Sequence, residues 1–165
     1  MEELFDIVDE NDAVIGRASR KEAHAVGHIH RSVLFFIFNG VGRIFVNRRS
    51  LNKEFYPGYW SIVFGGHVHA GESYEEAVAR ELKEEAGIEE EPYYLASFKK
   101  RFDDRDKENV HVFKITTDRP LTIDRDEIEC GEFMARDELR EKIRNERFLP
   151  ETARLLEILE CLNGR

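Results

Sequence analysis

The sequence is poor in the features that mark secreted and membrane-spanning proteins. It has two cysteines, Cys130 and Cys161, without C-x-x-C spacing, so we expect reduced thiols rather than a disulfide. The longest apolar run, residues 33–38, is far too short to span a bilayer. The acidic N-terminus, MEELFDIVDEND, is not typical of a signal peptide. These absences favour a cytoplasmic protein.

Positive charge is also scarce. The chain has 25 Lys and Arg residues against 34 Asp and Glu residues, which gives a formal net charge of −9. Duplex nucleic acid and anionic membranes attract proteins with an excess of basic residues. We therefore expect neither as the main partner. A small phosphate-containing ligand remains compatible with this charge if a metal ion and a local basic patch bind it. The sequence leaves the oligomeric state open.

The chain has only four prolines, no Ser-rich or Pro-rich linker and no internal repeat. Its 165 residues are enough for one domain with a hydrophobic core. We therefore predict a single domain over residues 1–165.

Hydrophobic periodicity predicts a mixed β-sheet between helices, an α/β fold in the broad sense (α+β mixed) with helix–sheet–helix layers. Segment 18–29 is compatible with either a helix or a loop, and segment 50–60, which contains Pro57-Gly58, is expected to be a loop. The predicted strands are residues 4–8, 13–17, 31–39, 43–49, 61–68, 93–102, 109–117 and 131–135, and the predicted helices are residues 73–86, 136–145 and 150–162.

The helix predicted at residues 73–86 is unusually acidic. Ser73 and Glu76 form a capping-box pattern at its start, and Gly87 is suited to end it. Glu81, Glu84 and Glu85 share one helical face, where neighbouring like charges cost ~0.2–0.5 kcal/mol each. The pattern is compatible with a solvated Glu-rich helix, but a divalent cation such as Mg²⁺, which prefers oxygen ligands, would remove the repulsion.

The spacing around this helix favours the cation. Residues 66–88 fit the pattern G-x5-E-x7-R-E-[LIV]-x-E-E-x-G-[LIV] without departure. This segment is identified as a Nudix box, and the chain resembles the Nudix superfamily from about residue 3 to 140. The resemblance implies a Nudix fold, with a mixed sheet sandwiched between helices. It also implies hydrolysis of a diphosphate linked to another moiety, with Mg²⁺ or Mn²⁺ as cofactor.

The resemblance also implies roles for individual residues. The metal ligands would be Glu81, Glu84, Glu85 and the backbone carbonyl of Gly66. Glu72 and Arg80 would support the loop–helix geometry behind these ligands. The residue that accepts a proton from the attacking water would be one of these glutamates or a carboxylate from a distant loop. The candidates for catalysis are therefore Glu84, Glu85 and Glu132, with Glu129 close to the last.

A second resemblance is more specific. The segments LFDIVDENDAVIGRASRKEAH, HIHRSVLFFIFN, RRSLNKEFYPGYW and GGHVHAGES are similar to type 1 isopentenyl-diphosphate isomerases, which share the Nudix fold. By this resemblance Arg49 and Lys53 would bind the diphosphate. His30 and His67 would match metal-ligand positions, and a second, histidine-containing metal site is an alternative to simple hydrogen-bonded histidines. Further nitrogen ligands are available from His24, His28, His69 and His111.

The chain departs from the isomerase pattern at a key position. That pattern requires a cysteine five residues after Trp60, where this chain has Gly65. Glycine has no titratable group, so it cannot transfer the proton. Of the isomerase's paired metal glutamates, only Glu108 is retained. We therefore predict a metal-dependent hydrolase acting on a nucleoside-diphosphate-type or related diphosphate, with an isomerase-like enzyme and a catalytically silent binding module as alternatives. The intact box argues against the silent module.

Overall fold

The computed structural model describes residues 3–101 and 104–163. Within these ranges it contains nine strands and four helices. In chain order they are β1 (Leu4–Val8), β2 (Val14–Ser19), α1 (Arg20–Val26), β3 (His30–Phe38), β4 (Ile44–Arg49), β5 (Trp60–Ser61), β6 (Phe64–His67), α2 (Tyr74–Ala86), β7 (Tyr93–Arg101), β8 (Lys107–Thr116), β9 (Ile128–Met134), α3 (Arg136–Asn145) and α4 (Thr152–Asn163).

The predicted mixed fold is confirmed. Segment 18–29, which the sequence left undecided, contains α1, because Ser19 caps the N-terminus and Gly27 ends the helix in the left-handed conformation. The strand predicted at residues 61–68 is divided into two, since β5 pairs with β4 whereas β6 pairs with β3. Phe102, the last residue of the strand predicted at 93–102, lies outside the described residues.

The main sheet has seven strands and is centred on β3. Its order is β5-β4-β3-β8-β7, with β6 also paired to β3 and β9 to β4. The β3–β8 pair is parallel, whereas the other pairs are antiparallel. Strands β3 and β4 pair only at Phe38 and Ile44. Strand β6 therefore lies along β3 where β4 diverges, and this places the two glycines of β6 near the middle of the sheet.

Both faces of the sheet are covered by helices. On one face α2 contributes Val78 and Leu82 to a core that includes Phe35 of β3. On the other face Leu139 of α3 and Leu155 of α4 belong to a second core cluster. Full burial of such side chains contributes about 1.5–3 kcal/mol each to folding. The expected helix–sheet–helix layers are thus present. Among the described helices, none is both long and apolar enough to cross a bilayer.

The β1–β2 hairpin packs beside this sandwich with its own small core. Phe5, Ile7 and Ala18 of the hairpin cluster with Ala23 of α1. The hairpin is tied to the rest of the chain by backbone hydrogen bonds, from the Val8 amide to the Ile29 carbonyl and from the Ala70 amide to the Leu4 carbonyl, at 2.9 Å and 2.8 Å. The aromatic face of Phe5 is thereby held against the end of β3.

Candidate active site

Helix α2 has fixed ends, and these determine which way its glutamates point. The Ser73 hydroxyl accepts a hydrogen bond from the Glu76 amide at 3.2 Å, while the Glu76 carboxylate accepts one from the Ser73 amide at 2.8 Å. Gly87 ends the helix with φ 68°. The predicted capping box and C-cap are both confirmed. Within this frame the Glu81 carboxylate faces the sheet and the Glu84 side chain is 59% exposed.

Glu81 lies against the backbone of β6. A Cβ built on Gly66 would be 2.1 Å from Glu81 Oε1, a distance that no side chain could occupy. Gly66 therefore provides the space for this carboxylate. Next to it, the Gly65 amide donates a hydrogen bond to Glu85 Oε2 at 3.1 Å. The glycine pair thus places two carboxylates of α2 along the β6 backbone.

Arg80 connects the strand–helix loop to these carboxylates. Its Nε and Nη2 donate to the two oxygens of Glu72 at 2.9 Å and 3.0 Å, and Nη2 also donates to the His67 carbonyl at 2.9 Å. Nη1 donates to Glu81 at 2.6 Å and to Glu84 at 3.3 Å. Glu72 also accepts a hydrogen bond from the His69 amide at 2.9 Å. Arg80 and Glu72 therefore lie where the sequence expected supporting residues.

Two carboxylates of α2, Glu81 and Glu85, have raised pKa values. Burial raises the pKa of Glu81, and the Arg80 guanidinium only partly offsets this effect. For Glu85, burial and then the Glu81 charge raise the pKa to about 8, although the Gly65 hydrogen bond and Lys53 act in the opposite direction. The nearby positive charges therefore do not fully balance the negative charges of Glu81 and Glu85. Carboxylate oxygens with unbalanced negative charge are suitable ligands for a hard divalent cation.

Two loops meet beside Glu85. Lys53, in the loop after β4, forms an ion pair with Glu127, which precedes β9. The Ser50 amide donates to the Glu127 carbonyl at 2.9 Å, and the Asp124 amide donates to the Glu85 carbonyl at 3.3 Å. Glu127 is thereby held close to the glutamates of α2. Sequence reasoning missed this residue, because it is one of several acids in the segment DRDEIEC.

The other predicted diphosphate ligand, Arg49, is engaged with its own loop. Its Nε and Nη2 both donate to the Phe55 carbonyl, at 3.2 Å and 3.0 Å. Arg49 ends β4 opposite Ile128, beside the turn that carries Glu127. Arg49, the last residue of β4, and Lys53, in the loop that follows, therefore lie near the same end of this strand.

Glu132 lies elsewhere. It is paired with Val46 on β4, and Val46 belongs to the core cluster that α3 and α4 cover. Since directly paired residues of antiparallel strands lie on the same face of a sheet, Glu132 faces α3 and lines a cavity of about 400 Å³ there. Its neighbour Glu129 forms an ion pair with Arg48 at 3.3 Å. The structure does not bring Glu132 together with the glutamates of α2, contrary to the expectation from its position in the sequence.

A second cluster of ligand atoms lies where the hairpin meets β3. It consists of His24, His30 and His67, whose ligand nitrogens all lie within 4.8 Å of one another. Among residues 3–101 and 104–163, this is the group of His, Cys, Asp or Glu side chains that could hold a metal ion. Among the described residues, the glutamates of α2 do not form such a group, and Arg80 donates hydrogen bonds to two of them, Glu81 and Glu84. His30 and His67 were the expected ligands of a second metal site, and His24 was one of four further histidines named as possible nitrogen ligands.

The histidines are suited to bind a metal ion. His30 is completely buried, and its Nε2 has no hydrogen-bond partner among the described residues. Burial and then the nearby His30 lower the pKa of His67 to about 3, so this imidazole is neutral at physiological pH. Glu108 Oε1 is 4.0 Å from His67 Nε2. Neutral imidazoles beside a carboxylate match the preferences of Zn²⁺ or Mn²⁺.

Gly65 occupies the position where the isomerase pattern has cysteine. A Cβ built on Gly65 would be 2.1 Å from the Val33 carbonyl oxygen and 2.8 Å from Cδ2 of Leu34. The first of these atoms belongs to the backbone of β3 and cannot rotate away. The position therefore lacks the thiol and, in this backbone arrangement, also lacks the space for one.

Comparison with known proteins identifies both Nudix hydrolases and isopentenyl-diphosphate isomerases as relatives. A family model described as NUDIX domain matches residues 28–155. The chain is 35% identical over 158 residues to a Nudix hydrolase of Pseudomonas aeruginosa, PA4841, covering 94% of this chain and 92% of the relative. It is 36% identical over 146 residues to isopentenyl-diphosphate Delta-isomerase 1 of Photorhabdus laumondii, covering 84% and 83%. The crystal structure of DR0079 from Deinococcus radiodurans aligns with a TM-score of 0.78 and 29% identity, covering 96% and 99%.

Proposed function

The chain belongs to the NUDIX domain family, and we propose that it is a divalent-cation-dependent hydrolase that cleaves a diphosphate linkage in a small molecule. The observation that carries this proposal is the placement of Glu81 and Glu85 along the glycine backbone of β6, with pKa values raised by burial. Such a site gains stability by taking up positive charge. The hydrogen bonds that Arg80 donates to Glu72 and Glu81 support the same proposal, because they hold the glutamates of α2 in place.

The residues of this chain divide the work. Glu81, Glu84, Glu85 and the Gly66 carbonyl would hold Mg²⁺ or Mn²⁺, which would neutralise charge at the reacting phosphorus and lower the pKa of a water molecule. Glu84 and Glu85 are the proposed acceptors of the proton that the attacking water loses.

Three other residues orient the site and its substrate. Arg80 keeps α2 fixed on β6 through its bond to the His67 carbonyl. Lys53 and Arg49 are the proposed diphosphate ligands. Arg49 ends β4, Lys53 lies in the loop that follows it, and the Lys53 ammonium is close enough to Glu85 to lower its pKa.

The histidine cluster favours a second candidate activity, that of an isomerase-like enzyme. His24, His30 and His67 with Glu108 form a site for a second cation. Isomerisation requires one group that gives a proton to the substrate and another that removes one. Gly65 has no thiol to transfer a proton, and this argues against isomerase activity. We therefore propose the histidine cluster as a second metal site of a hydrolase.

The test is a substrate panel assayed with the purified chain. Nucleoside triphosphates, nucleoside diphosphate sugars, dinucleoside polyphosphates, coenzyme A and isopentenyl diphosphate are incubated with Mg²⁺ or Mn²⁺, and the products are analysed chromatographically. We expect cleavage of at least one diphosphate, loss of turnover after chelation and recovery when the metal is restored. Full turnover after exhaustive chelation would exclude the metal-dependent mechanism. Formation of an allylic product from isopentenyl diphosphate would establish isomerase activity. Binding of a diphosphate without turnover would indicate a catalytically silent binding module.

A further inference from the structure

We propose that Phe55 and Tyr56, in the loop between β4 and β5, form an open aromatic platform that stacks on a planar ring of the substrate. The substrate class would then be nucleoside diphosphates and their derivatives. The inference rests on the proposed function, in which Arg49 and Lys53 bind the diphosphate. It adds to that function a class of substrate and two residues that determine specificity.

The two aromatic side chains lie at the surface. Phe55 is 67% exposed and Tyr56 is 44% exposed. Among the described residues, neither side chain belongs to a hydrophobic core cluster. Single exposed hydrophobic side chains are common on protein surfaces, but these two are adjacent in the chain. Removal of aromatic surface from water is favourable, so both rings are suited to pack against a bound molecule.

The platform is continuous with the proposed diphosphate ligands. Nε and Nη2 of Arg49 donate to the Phe55 carbonyl, so this guanidinium contacts the same residue that carries the exposed ring. Nη1 takes no part in this contact and is suited to bind a phosphate oxygen. In a nucleoside diphosphate, one sugar separates the base from the diphosphate. A diphosphate bound at Arg49 would therefore bring its base close to Phe55.

The backbone of the loop is fixed in the shape that exposes the two rings. Tyr56 has a φ of 52°, in the left-handed region that residues with bulky side chains rarely adopt. Its carbonyl accepts a hydrogen bond from the Tyr59 amide at 3.3 Å, and the two rings pack edge to face with centroids 5.3 Å apart. Arg48 Nε donates to the Gly58 carbonyl at 3.0 Å. Several contacts thus maintain an unfavourable backbone conformation, which is characteristic of functional loops.

The exposure of the platform favours a planar ring over an alkyl chain. A base can stack one face on an aromatic side chain while its polar edges stay in water, so it needs no enclosed pocket. An alkyl chain has no polar edge, and it leaves water only where apolar groups surround it. The residues before Phe55 in the loop are Lys53 and Glu54, whose charges do not suit an alkyl chain.

The experiment measures binding to the purified chain by calorimetry with Mg²⁺ and three non-hydrolysable ligands. Methylene diphosphonate offers the diphosphate alone, adenosine 5′-(α,β-methylene)diphosphate adds a nucleoside, and pentyl methylenediphosphonate adds an alkyl chain. An adenosine ligand is a suitable probe because every base has a face that can stack. We expect the adenosine ligand to bind about tenfold more tightly than methylene diphosphonate, on the scale of one stacked base. The pentyl ligand should gain less.

Three variants identify the side chains responsible. Phe55→Ser should lose most of the gain for the adenosine ligand and bind methylene diphosphonate as the parent does, whereas Phe55→Trp should retain the gain. Tyr56→Asn removes the second ring but tolerates the left-handed φ, and it should lose part of the gain. The matched control is Tyr93→Ser, on β7, because Tyr93 is 68% exposed and lies at the opposite edge of the sheet.

The inference is wrong if the adenosine ligand binds no more tightly than methylene diphosphonate, or if the pentyl ligand gains as much. It is also wrong if Phe55→Ser retains the gain. Sedimentation of the same proteins tests another occupant, since a Phe55→Ser variant that dissociates a dimer with unchanged affinities would assign the platform to contact between copies. The proposed function fails on a separate result, namely no cleavage of any diphosphate by the parent with Mg²⁺ or Mn²⁺.

Discussion

The Glu81 carboxylate lies directly against the α-carbon of Gly66, so close that a Cβ at position 66 would be 2.1 Å from Oε1. Gly66 is thus required for the space it leaves rather than for a turn, because its φ is not among the positive values in the chain. The contact brings the Gly66 backbone of β6 and a carboxylate of α2 together.

Gly66→Ala tests this relationship. The added methyl group overlaps the end of the Glu81 side chain, which can rotate away, so the fold should survive with a loss of about 1–3 kcal/mol. Turnover should fall by roughly two orders of magnitude, on the scale of losing an acid–base group. Gly16→Ala is the control, since a Cβ at position 16 meets nothing within 4 Å. Parent-like turnover in Gly66→Ala would show that the approach of Glu81 to Gly66 does not matter.

Glu84→Gln and Glu85→Gln keep the shape of each side chain but remove its charge. We expect turnover in each to fall by roughly two or more orders of magnitude. In the absence of metal, Glu85→Gln should unfold at the same temperature as the parent or higher, because burial and Glu81 already disfavour the charge at this position. Glu75→Gln, on the exposed first turn of α2, is the control. Near-normal turnover in both variants would contradict the assignment.

The Glu132→Gln variant tests whether Glu132 is a catalytic base, as the sequence suggested, or lies away from the candidate site, as the structure has it. The resemblance to the Nudix superfamily suggested Glu132 as a catalytic base, whereas its pairing with Val46 turns it toward α3. On geometric grounds we expect kcat and kcat/KM close to those of the parent, far from the ~10²–10⁴-fold loss that removal of a general base causes. A loss of that size would restore the original assignment and would require β9 to rearrange.

The histidine cluster can be tested independently of turnover. Co²⁺ bound by several imidazoles absorbs visible light, and imidazole donors suit this ion. We expect the parent to show such absorption at one equivalent of Co²⁺. His30→Gln should abolish it, whereas His28→Gln, outside the cluster, should not. If His30→Gln leaves the spectrum unchanged, these histidines do not form a metal site.

Asp12 should make stability depend on pH. Burial alone would raise its pKa, but hydrogen bonds from Asn109, Arg31 and Tyr74 outweigh this effect and lower it below 3.8. The ionised form is therefore preferred in the folded state, and its contribution is present above the unfolded pKa and lost as pH falls through the folded value.

The Asp12→Asn variant tests that dependence. At pH 7 it should reduce the free energy of unfolding by about 1–3 kcal/mol, the range for hydrogen bonds to a charged group. The difference should shrink as the pH falls below 3.8 and through the lowered pKa of Asp12, which urea denaturation at neutral and acidic pH can measure. Asparagine also tolerates the left-handed φ of 67° at this position. A difference independent of pH would assign the effect to packing rather than charge.

Local signals made much of the fold predictable. Ser73, Glu76 and Gly87 determine the ends of α2 through contacts within a few residues, so the sequence sufficed. The apolar run at residues 33–38 likewise indicated the strand that the structure has as β3. The division of residues 61–68 into β5 and β6 could not be predicted, because it depends on which strand each half pairs with.

The candidate site shows the same distinction. Glu81, Glu84 and Glu85 are related by helical spacing and could be grouped from the sequence. Glu127 and Lys53 are 74 positions apart in the chain, and their contact arises from the way two loops cross the end of β4. His24 could not be distinguished from the other three candidate histidines, because the structure of segment 18–29 was undecided. Glu132 was misplaced because the face of β9 depends on its register with β4.

The backbone contact at Gly65 constrains how this chain can change its activity over evolutionary time. A glycine codon is a single nucleotide change from a cysteine codon, so the thiol itself is easily acquired. The Val33 carbonyl, however, lies 2.1 Å from the position of the first side-chain atom. A descendant that gained the cysteine would also need a shift of β3 against β6, the strand that carries Gly66 next to Glu81. Selection for the new thiol would therefore act against the existing cation site.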